Sequence, residues 1–342
     1  MEKHTLKKHF KIGDRLVGDG FPAFIIAEVG INHGGNVQTA KEMISAAWEV
    51  GADAVKIQTF ITSEFLHPTH PTYQYDIDAE ITHEAEMEIW AYAQQRGIKL
   101  FSTPEDLKSL AFLRERKPPV VKIAAMDFNF PILIKGAADL SVPVILSSGM
   151  SNMEEVLRAV RWVNEVGNDE CAILHCVSCY PTPPQECNLN AIRTLKSVLN
   201  GPVGYSDHTI GIHIPLAAVA LGANIIEKHF TLDKSQPGPD QANSMDPKDL
   251  ASLVRQVREL ESAMGDGAKV PSKLEAAPRQ FKRRGIYAGD YIKAGEQVNL
   301  SNVVFWAPST EQSSVDDWPL VEGRFVAHDI NKGSPISRND LV

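Results

Sequence analysis

A chain of 342 residues, with 43% hydrophobic and 23% charged residues, is long enough to bury a barrel-sized core and has the composition of a soluble globular enzyme. Its formal net charge of -9 at pH 7 disfavours nucleic acid and anionic membrane surfaces as partners, so an anionic substrate would need locally placed Lys or Arg residues. The N-terminus lacks an apolar signal region, and no segment approaches the roughly 18 apolar residues of a membrane span, so we expect a cytoplasmic protein.

From residue 24 onward a short apolar run, a polar loop and an amphipathic pattern recur. The apolar runs predict eight strands, at 24–32, 54–60, 99–103, 120–125, 144–149, 172–180, 203–208 and 224–231. Helical patterns lie between or after them, for example at 37–50, 83–96, 152–166, 211–221 and 247–264. Strands that alternate with helices in this number predict an α/β fold, the (β/α)8 TIM barrel. A doubly wound open sheet is the alternative, but no G-x-G-x-x-G follows the first strand.

The chain outside this repeat predicts a loop over the barrel mouth and a second, smaller domain. Residues 61–81 form the predicted loop, in which we expect His67 and His70 to be exposed loop residues rather than ligands. We assign residues 1–264 to the barrel, 265–280 to a linker, and 281–342 to a small β-rich domain with Gly turns. A domain of about 60 residues is near the lower limit for independent folding, so we expect it to rest on a partner surface.

The four cysteines do not predict a redox or metal site. Cys176 and Cys179 form a C-x-x-C, but they lie inside a predicted strand, where this spacing places them on opposite faces. Together with Cys171 and Cys187 we interpret them as reduced structural thiols.

Polar or ionisable residues fall late in all eight predicted strands, at alternating positions. In a TIM barrel these positions point into the catalytic end of the barrel. They are Glu28 and Asn32, Lys56 and Gln58, Thr103, Lys122, Ser147, Ser178 and Tyr180, Ser206 and His208, and Glu227 and His229. Either histidine alone is more simply a core residue, but two at matching strand positions could share one divalent metal ion. Two lysines with hydroxyls, carboxylates and imidazoles in one barrel are hard to explain by packing alone.

These motifs, in this order, resemble the sialic acid synthase family, which includes N-acetylneuraminate, legionaminate and pseudaminate synthases and spore-coat polysaccharide enzymes. The matching motifs lie at 27–33, 55–58, 101–104, 121–123, 146–150, 174–176, 180–181, 205–209, 227–233 and 238–240. The tail resembles the SAF (antifreeze-protein-like) domain of that family. The resemblance covers nearly the whole chain and implies a TIM barrel followed by this domain.

The resemblance implies a metal-assisted condensation of phosphoenolpyruvate with the open-chain aldehyde of an N-acylmannosamine-like hexose. The products would be a nonulosonic (sialic-type) acid and phosphate, formed by C–O cleavage. The cofactor implied is a divalent ion, Mn²⁺ or Mg²⁺, with no organic cofactor, and the assembly implied is a homodimer in which each tail covers the partner's barrel.

The resemblance also assigns roles to residues. Phosphoenolpyruvate would be held by Lys56, Thr103, Lys122, Ser147, Ser178 and Ser206. The metal ion would be bound by His208 and His229, while Glu28 and Glu227 would transfer protons and position water. The sugar would be contacted by Gln58, Asp127, Tyr180 and Asp240.

The sequence departs from the family pattern at positions that concern the sugar. After the Lys of the fourth strand, the family's small residue, Ser, Gly and Glu are replaced by Ala124, Ala125, Met126 and Asp127. Gln241 stands where His is usual, and 307–309 replaces an Arg-Pro-Gly element of the tail. The sequence therefore does not identify the acceptor sugar.

Three other functions remain possible from the sequence. A synthase of 3-deoxy-octulosonate or heptulosonate phosphate would share the barrel and phosphoenolpyruvate but should lack the SAF-like tail. An aldolase-type barrel would use Lys56 or Lys122 as a Schiff-base nucleophile. A catalytically degenerate, sugar-binding barrel would keep the fold without the reaction.

Overall fold

A computed structural model describes residues 6–310 and 313–342, and its chain divides into two compact units. The first unit ends at Gly265 and the second begins at Asp266. Within the described residues, no helix is both long enough and apolar enough to cross a membrane.

The first unit is a closed barrel of eight parallel strands, as the sequence predicts. The barrel strands are β3 (Phe24–Gly30), β4 (Ala54–Thr59), β5 (Leu100–Pro104), β6 (Val121–Ile123), β7 (Val144–Ser147), β8 (Cys171–Cys176), β9 (Val203–Asp207) and β10 (Ile225–His229). They pair in chain order, and β10 pairs with β3 to close the ring. The predicted sixth strand, 172–180, is too long: β8 ends at Cys176, so Ser178, Cys179 and Tyr180 lie in the loop that follows it.

Helices surround the barrel, and all but the short α2 and α3 bury apolar faces against the outer side of the strands. They are α1 (Val37–Glu49), α2 (Thr62–Phe65), α3 (Tyr73–Ala79), α4 (His83–Gln95), α5 (Leu107–Arg116), α6 (Pro131–Ala138), α7 (Met153–Glu165), α8 (Asn190–Leu199), α9 (His213–Ala220) and α10 (Pro247–Met264). The predicted long loop at 61–81 contains two short helices, α2 and α3, that the sequence did not predict. These helices have only four and seven residues, too short to give a periodic pattern in the sequence.

An N-terminal hairpin that the sequence did not reveal closes the bottom of the barrel. Strands β1 (His9–Ile12) and β2 (Arg15–Gly18) are antiparallel. Their Phe10, Ile12 and Val17 pack with the first inward residues of the barrel strands in one buried cluster. The lower half of the barrel interior is therefore apolar, and the polar residues are left to the upper half.

The second unit contains a small core of its own. Strands β11 (Gly285–Ala288) and β12 (Val303–Trp306) pair antiparallel, and short bridges join much of the remaining chain. Helix α11 (Ala276–Lys282) precedes the strands and overlaps the predicted linker, and α12 (Trp318–Val321) follows them. The buried apolar residues of this core are Ile286, Ala288, Ile292, Val298, Val303, Val321, Val326, Ile330 and Ile336.

Candidate active site

Each barrel strand changes from apolar to polar along its inward face. In β5, for example, Phe101 belongs to the buried floor and Thr103 lines the cavity above it. In β10 the same change occurs between Ile225 and Glu227. Because alternate residues of parallel strands point the same way, this pattern concentrates polar groups at the C-terminal end of the barrel.

These groups enclose a cavity of about 120 Å³. It is lined by Glu28, Lys56, Gln58, Thr103, Lys122, Ala124, Ala125, Ser147, Cys176, Tyr180, Ser206, His208, Glu227, His229 and Asp240. All predicted site residues except Ser178 and Asp127 are in this lining. The barrel therefore places the polar ends of these strands around one space.

A network of buried charged side chains forms part of the wall of the cavity. Lys122 Nζ donates to Glu227 Oε1 at 2.9 Å, and Ser206 Oγ donates to the same oxygen at 2.8 Å. Lys56 forms an ion pair with Glu28, lies 3.8 Å from Glu227 Oε2, and donates to Thr103 Oγ1 at 3.0 Å. Two ammonium groups and two carboxylates are thus withdrawn from water together, an arrangement that is stable only while each charge keeps its partners.

The pKa values of the two carboxyl groups, Glu28 and Glu227, are shifted in opposite directions. Burial raises the pKa of Glu28 above its ordinary value, and the charge on Glu227 adds to this against the pull of Lys56. Burial also opposes ionisation of Glu227, but the ammonium groups of Lys122 and Lys56 prevail and hold its pKa well below the ordinary value. Lys56 is desolvated too, yet the two carboxylates raise its pKa, so it stays charged. A pair of carboxyls with separated pKa values is suited to one acid and one base role.

The two predicted metal ligands lie next to each other, with ring centroids 5.5 Å apart. His208 Nδ1 forms a hydrogen bond of 2.8 Å with the carbonyl oxygen of Val177. This bond leaves the second ring nitrogen, Nε2, as the atom that could bind a metal ion. Burial lowers the pKa of His208 to about 3, so its imidazole is neutral, as a ligand must be. His229 Nδ1 is buried without a hydrogen-bond partner and lies 3.8 Å from Asp240 Oδ2. These donors fit one divalent ion, although among residues 6–310 and 313–342 no three His, Cys, Asp or Glu side chains form a complete metal cluster.

The hydroxyl of Ser147 is a neutral polar group of the cavity wall without a partner. Ser147 Oγ is buried and makes no hydrogen bond with residues 6–310 or 313–342. Buried hydroxyls are almost always paired, so an atom of this kind at a cavity wall is suited to bind a ligand.

Two predicted site residues lie beside the cavity rather than in its lining. Ser178 approaches Gly149 so closely that a Cβ on that glycine would be 2.4 Å from Ser178 Oγ. Asp127 is buried in the loop after β6. The lining also contains Ala124 and Ala125, which the sequence marked only as departures from the family pattern, and Cys176, which it interpreted as a structural thiol. Cys176 shares the inward parity of Ala172 and Leu174 on β8, and this parity is the signal that could have placed it in the lining.

Comparison with protein families gives a match over most of the barrel. The model described as the NeuB family matches residues 43–269, and the SAF domain model matches residues 283–342. The chain belongs to the NeuB family. The predicted family, and the predicted order of a TIM barrel followed by a SAF domain, are therefore confirmed.

Several NeuB relatives resemble the chain over most of its length. An uncharacterized protein of Methanocaldococcus jannaschii is 45% identical over 298 residues, covering 87% of this chain and 88% of its own. The N,N'-diacetyllegionaminic acid synthase of Legionella pneumophila is 37% identical, covering 86% of this chain and 87% of its own. The crystal structure of N-acetylneuraminic acid synthetase from Leptospira borgpetersenii, in complex with citrate, has a TM-score of 0.75 and 37% identity, covering 80% of this chain and 96% of that one.

Proposed function

We propose that this NeuB-family chain condenses phosphoenolpyruvate with the open-chain aldehyde of an N-acylmannosamine-like hexose, giving a nonulosonic acid and phosphate. The observation that carries the proposal is the one cavity in which two buried lysines, three Ser or Thr hydroxyls, two Glu carboxyls and two imidazoles meet. The names of the relatives, which are synthases of legionaminic and N-acetylneuraminic acid, support the same reaction class.

The lysine side of the cavity suits phosphoenolpyruvate. Lys56 and Lys122 are the only Lys or Arg residues in the lining, and an anionic substrate of a chain with net charge -9 needs such local cations. Hydroxyls of Thr103, Ser147 and Ser206 surround them, and the unpartnered Ser147 Oγ can donate to a phosphate or carboxylate oxygen. Ser178, beside Gly149, would complete this set as the loop after β8 folds over it.

The two carboxyls divide the proton transfers. Carbon 3 of phosphoenolpyruvate attacks the aldehyde carbon, and the aldehyde oxygen gains a proton as the new C–C bond forms. Glu28, whose pKa is raised by burial, is the group that would supply this proton. Water then adds to carbon 2 and loses a proton, and the C–O bond to phosphate breaks to leave the 2-keto acid. Glu227, kept ionised by Lys122 and Lys56, would orient that water.

A divalent ion, Mn²⁺ or Mg²⁺, held by His208 and His229 would supply Lewis-acid polarisation of the aldehyde. The neutral His208 and the unpartnered Nδ1 of His229 support this assignment. Tyr180 lies with its ring 4.0 Å from that of His208, and Asp240 approaches His229. We therefore place the acceptor sugar beside the imidazoles, in contact with Gln58, Tyr180 and Asp240.

We further propose that the active form is a homodimer in which the tail of each chain covers the partner's barrel mouth. The loops that follow five successive strands, β6 to β10, each expose a large apolar side chain. These side chains are Met126, Met150, Tyr180, Ile210 and Leu232. The second unit also exposes apolar residues, including Phe281, Trp306 and Phe325. Apolar surfaces of this extent are typical of interaction sites.

The decisive experiment is phosphate release from phosphoenolpyruvate in the presence of Mn²⁺ and a panel of aldehyde sugars. The panel contains N-acetylmannosamine, its 6-phosphate, mannose, 2,4-diacetamido-trideoxyhexoses and arabinose 5-phosphate. We expect release with a hexose and none without an acceptor. Release with arabinose 5-phosphate alone would favour an octulosonate phosphate synthase, although the SAF domain counts against it. No release with any sugar, while phosphoenolpyruvate binds, would favour a degenerate sugar-binding barrel.

The aldolase alternative has its own test. Lys56 and Lys122 are both paired with carboxylates, and an ammonium group in such a pair is a poor nucleophile. Borohydride reduction in the presence of pyruvate should leave both lysines unmodified. A reduced adduct on either lysine would establish a Schiff base and overturn the proposed mechanism.

A further inference from the structure

The loop that carries Asp240 is tied to the end of the first barrel strand by a short chain of hydrogen bonds. Asn32 lies two residues after β3, is 7% exposed, and is not among the residues that line the cavity. Its Nδ2 donates to Ser244 Oγ at 2.9 Å, and Ser244 Oγ donates to the carbonyl oxygen of Asp240 at 2.7 Å. The hydroxyl of Ser244 therefore connects Asn32 to a residue of the cavity wall.

The same amide group also holds the backbone next to His229. Asn32 Nδ2 donates a second hydrogen bond, of 2.9 Å, to the carbonyl oxygen of Phe230, the residue that directly follows His229. A carbonyl oxygen can only accept, so the nitrogen of the Asn32 amide, and not its oxygen, must face Phe230. One NH2 group thus binds both the backbone beside His229 and the hydroxyl that holds Asp240.

Two further contacts keep these parts of the chain together. The N–H of Met245 donates to the carbonyl oxygen of His229 at 2.8 Å, and Gln241 Nε2 reaches the carbonyl oxygen of Asn32 at 3.4 Å, a long hydrogen bond. At the centre of these contacts, Asp240 Oδ2 lies 3.8 Å from His229 Nδ1. The position of the Asp240 carboxylate relative to His229 therefore depends on the hydrogen bonds of Asn32 with the loop after β10.

We propose that Asn32 and Ser244 are positioning residues that hold Asp240 beside His229, in the place from which its carboxylate contacts the acceptor sugar. The inference rests on the proposed function, in which Asp240 contacts the acceptor. Asn32 and Ser244 act through the loop and not on the substrate itself. A carboxylate binds a sugar hydroxyl only at hydrogen-bond distance, so a displacement of the loop by about 1 Å is enough to weaken this contact.

Steady-state kinetics of the full-length enzyme with its best acceptor test this role. Ser244→Ala removes the link to Asp240, and we expect the acceptor KM to rise about fivefold, the effect of one neutral hydrogen bond. Asn32→Ala also releases Phe230 and should raise the acceptor KM about tenfold or more. The KM of phosphoenolpyruvate should change less than about twofold in both variants. Equal increases in the two Michaelis constants would overturn the proposal, because a general loosening of the barrel affects both substrates.

A second comparison shows whether Ser244 acts through Asp240. Asp240→Ala removes the carboxylate and should itself raise the acceptor KM. In that background Ser244→Ala should change the acceptor KM by less than about twofold, because no carboxylate is left to position. A further rise of about fivefold would show that Ser244 acts by another route, and the proposal would be wrong.

Ser45→Ala is the matched control for the loss of a hydroxyl that joins two elements. Ser45 lies half-buried on α1, and its Oγ shares a hydrogen bond of 2.6 Å with the hydroxyl of Tyr92 on α4, among the outer helices. This variant should keep both wild-type Michaelis constants. An acceptor KM that rises as much in Ser45→Ala as in Ser244→Ala would mean that the effect comes from the stability of the fold, and the proposal would fail.

Hydrogen exchange measures the position of the loop without turnover. The N–H groups of Thr231 and Met245 form backbone hydrogen bonds between the end of β10 and the segment after the loop. They should exchange faster in Ser244→Ala and Asn32→Ala than in the wild type, and at the wild-type rate in Ser45→Ala. Unchanged exchange in both variants would refute the positioning role. If no sugar of the panel supports phosphate release, the proposed function fails, and this measurement still decides whether Asn32 and Ser244 hold the loop.

Discussion

Lys228 Nζ donates a hydrogen bond of 2.6 Å to Asp207 Oδ2 across the paired strands β10 and β9. Both side chains are at most 1% exposed. Asp207 also accepts from the backbone N–H of Thr209 at 2.9 Å. The pair therefore fixes the backbone on both sides of His208 and beside His229, the two proposed metal ligands, while its own side chains point away from the cavity.

Removing the cation of this pair should destabilise the protein. Lys228→Met leaves the charge of Asp207 buried without its partner, and we expect a loss of about 3 kcal/mol or more in the free energy of unfolding. Urea denaturation followed by circular dichroism measures the change. Lys234→Met is the control, because Lys234 pairs with Asp246 at the surface and should cost less than about 1 kcal/mol. Equal losses in the two variants would contradict the importance of the buried pair.

The metal assignment predicts a specific loss in His229→Ala. This variant should stay folded, bind less Mn²⁺ in electron paramagnetic resonance titrations, and lose at least about a hundredfold in kcat, since one of two protein ligands is gone. The chelator-treated wild type should recover activity when Mn²⁺ is added, and the variant should not. His83→Ala serves as the control because His83 stacks on Phe112 among the outer helices. Wild-type turnover in His229→Ala with added metal would refute the assignment of His229 as a metal ligand.

The assignment of Lys122 to phosphoenolpyruvate predicts that a change at this residue raises the KM of that substrate only. Lys122→Met removes an ammonium group from the phosphoenolpyruvate side of the cavity, and we expect the KM of that substrate to rise about tenfold to a hundredfold. The KM of the acceptor should change much less. Steady-state kinetics with each substrate varied in turn separates the two effects. Lys41→Met, which breaks a pair with Glu88 at the surface, should leave both constants unchanged. If the acceptor KM alone rises in Lys122→Met, the two ends of the cavity have been assigned the wrong way round.

The raised pKa of Glu86 predicts how the free energy of unfolding varies with pH. Its folded-state pKa of about 7 lies above its ordinary value of 4.5, so the folded protein binds the extra proton between these values. The contribution of Glu86 to stability is therefore complete below about pH 4.5 and is lost as pH rises towards 7. Glu86→Gln cannot titrate, and relative to the wild type it should gain about 2 kcal/mol between pH 5 and pH 8. Unfolding free energies at several pH values would reveal this, and a constant difference between the two proteins would refute it.

The proposed swapped dimer predicts complementation between two inactive chains. A chain that ends at Gly265 has an intact barrel without a tail, and full-length His229→Ala has a tail with a defective barrel. If each tail serves the partner's barrel, mixing the two should restore part of the wild-type activity. The truncated chain alone should be inactive. It should stay inactive when it is mixed with a cell lysate that does not contain this protein. Full activity of the truncated chain by itself would reject the requirement for the tail.

The sequence by itself determined the barrel and most of the residues that line its candidate site. Eight apolar runs with β-branched residues predict parallel strands wherever both faces are buried, and polar residues late in these runs mark the open end of the barrel. Because a strand has a period of two, parity alone selected Lys56, Lys122, Glu227 and His229 as residues of one space.

Only the tertiary structure decided how those residues act on one another. The pairing of Lys228 with Asp207 depends on side chains from two different strands, at a distance along the chain that no local pattern encodes. The hairpin that closes the barrel was hidden because its four-residue strands bury only three large apolar side chains against residues far along the chain. The separation of the pKa values of Glu28 and Glu227 likewise arises from burial and from the positions of two lysines, quantities that exist only in the folded barrel.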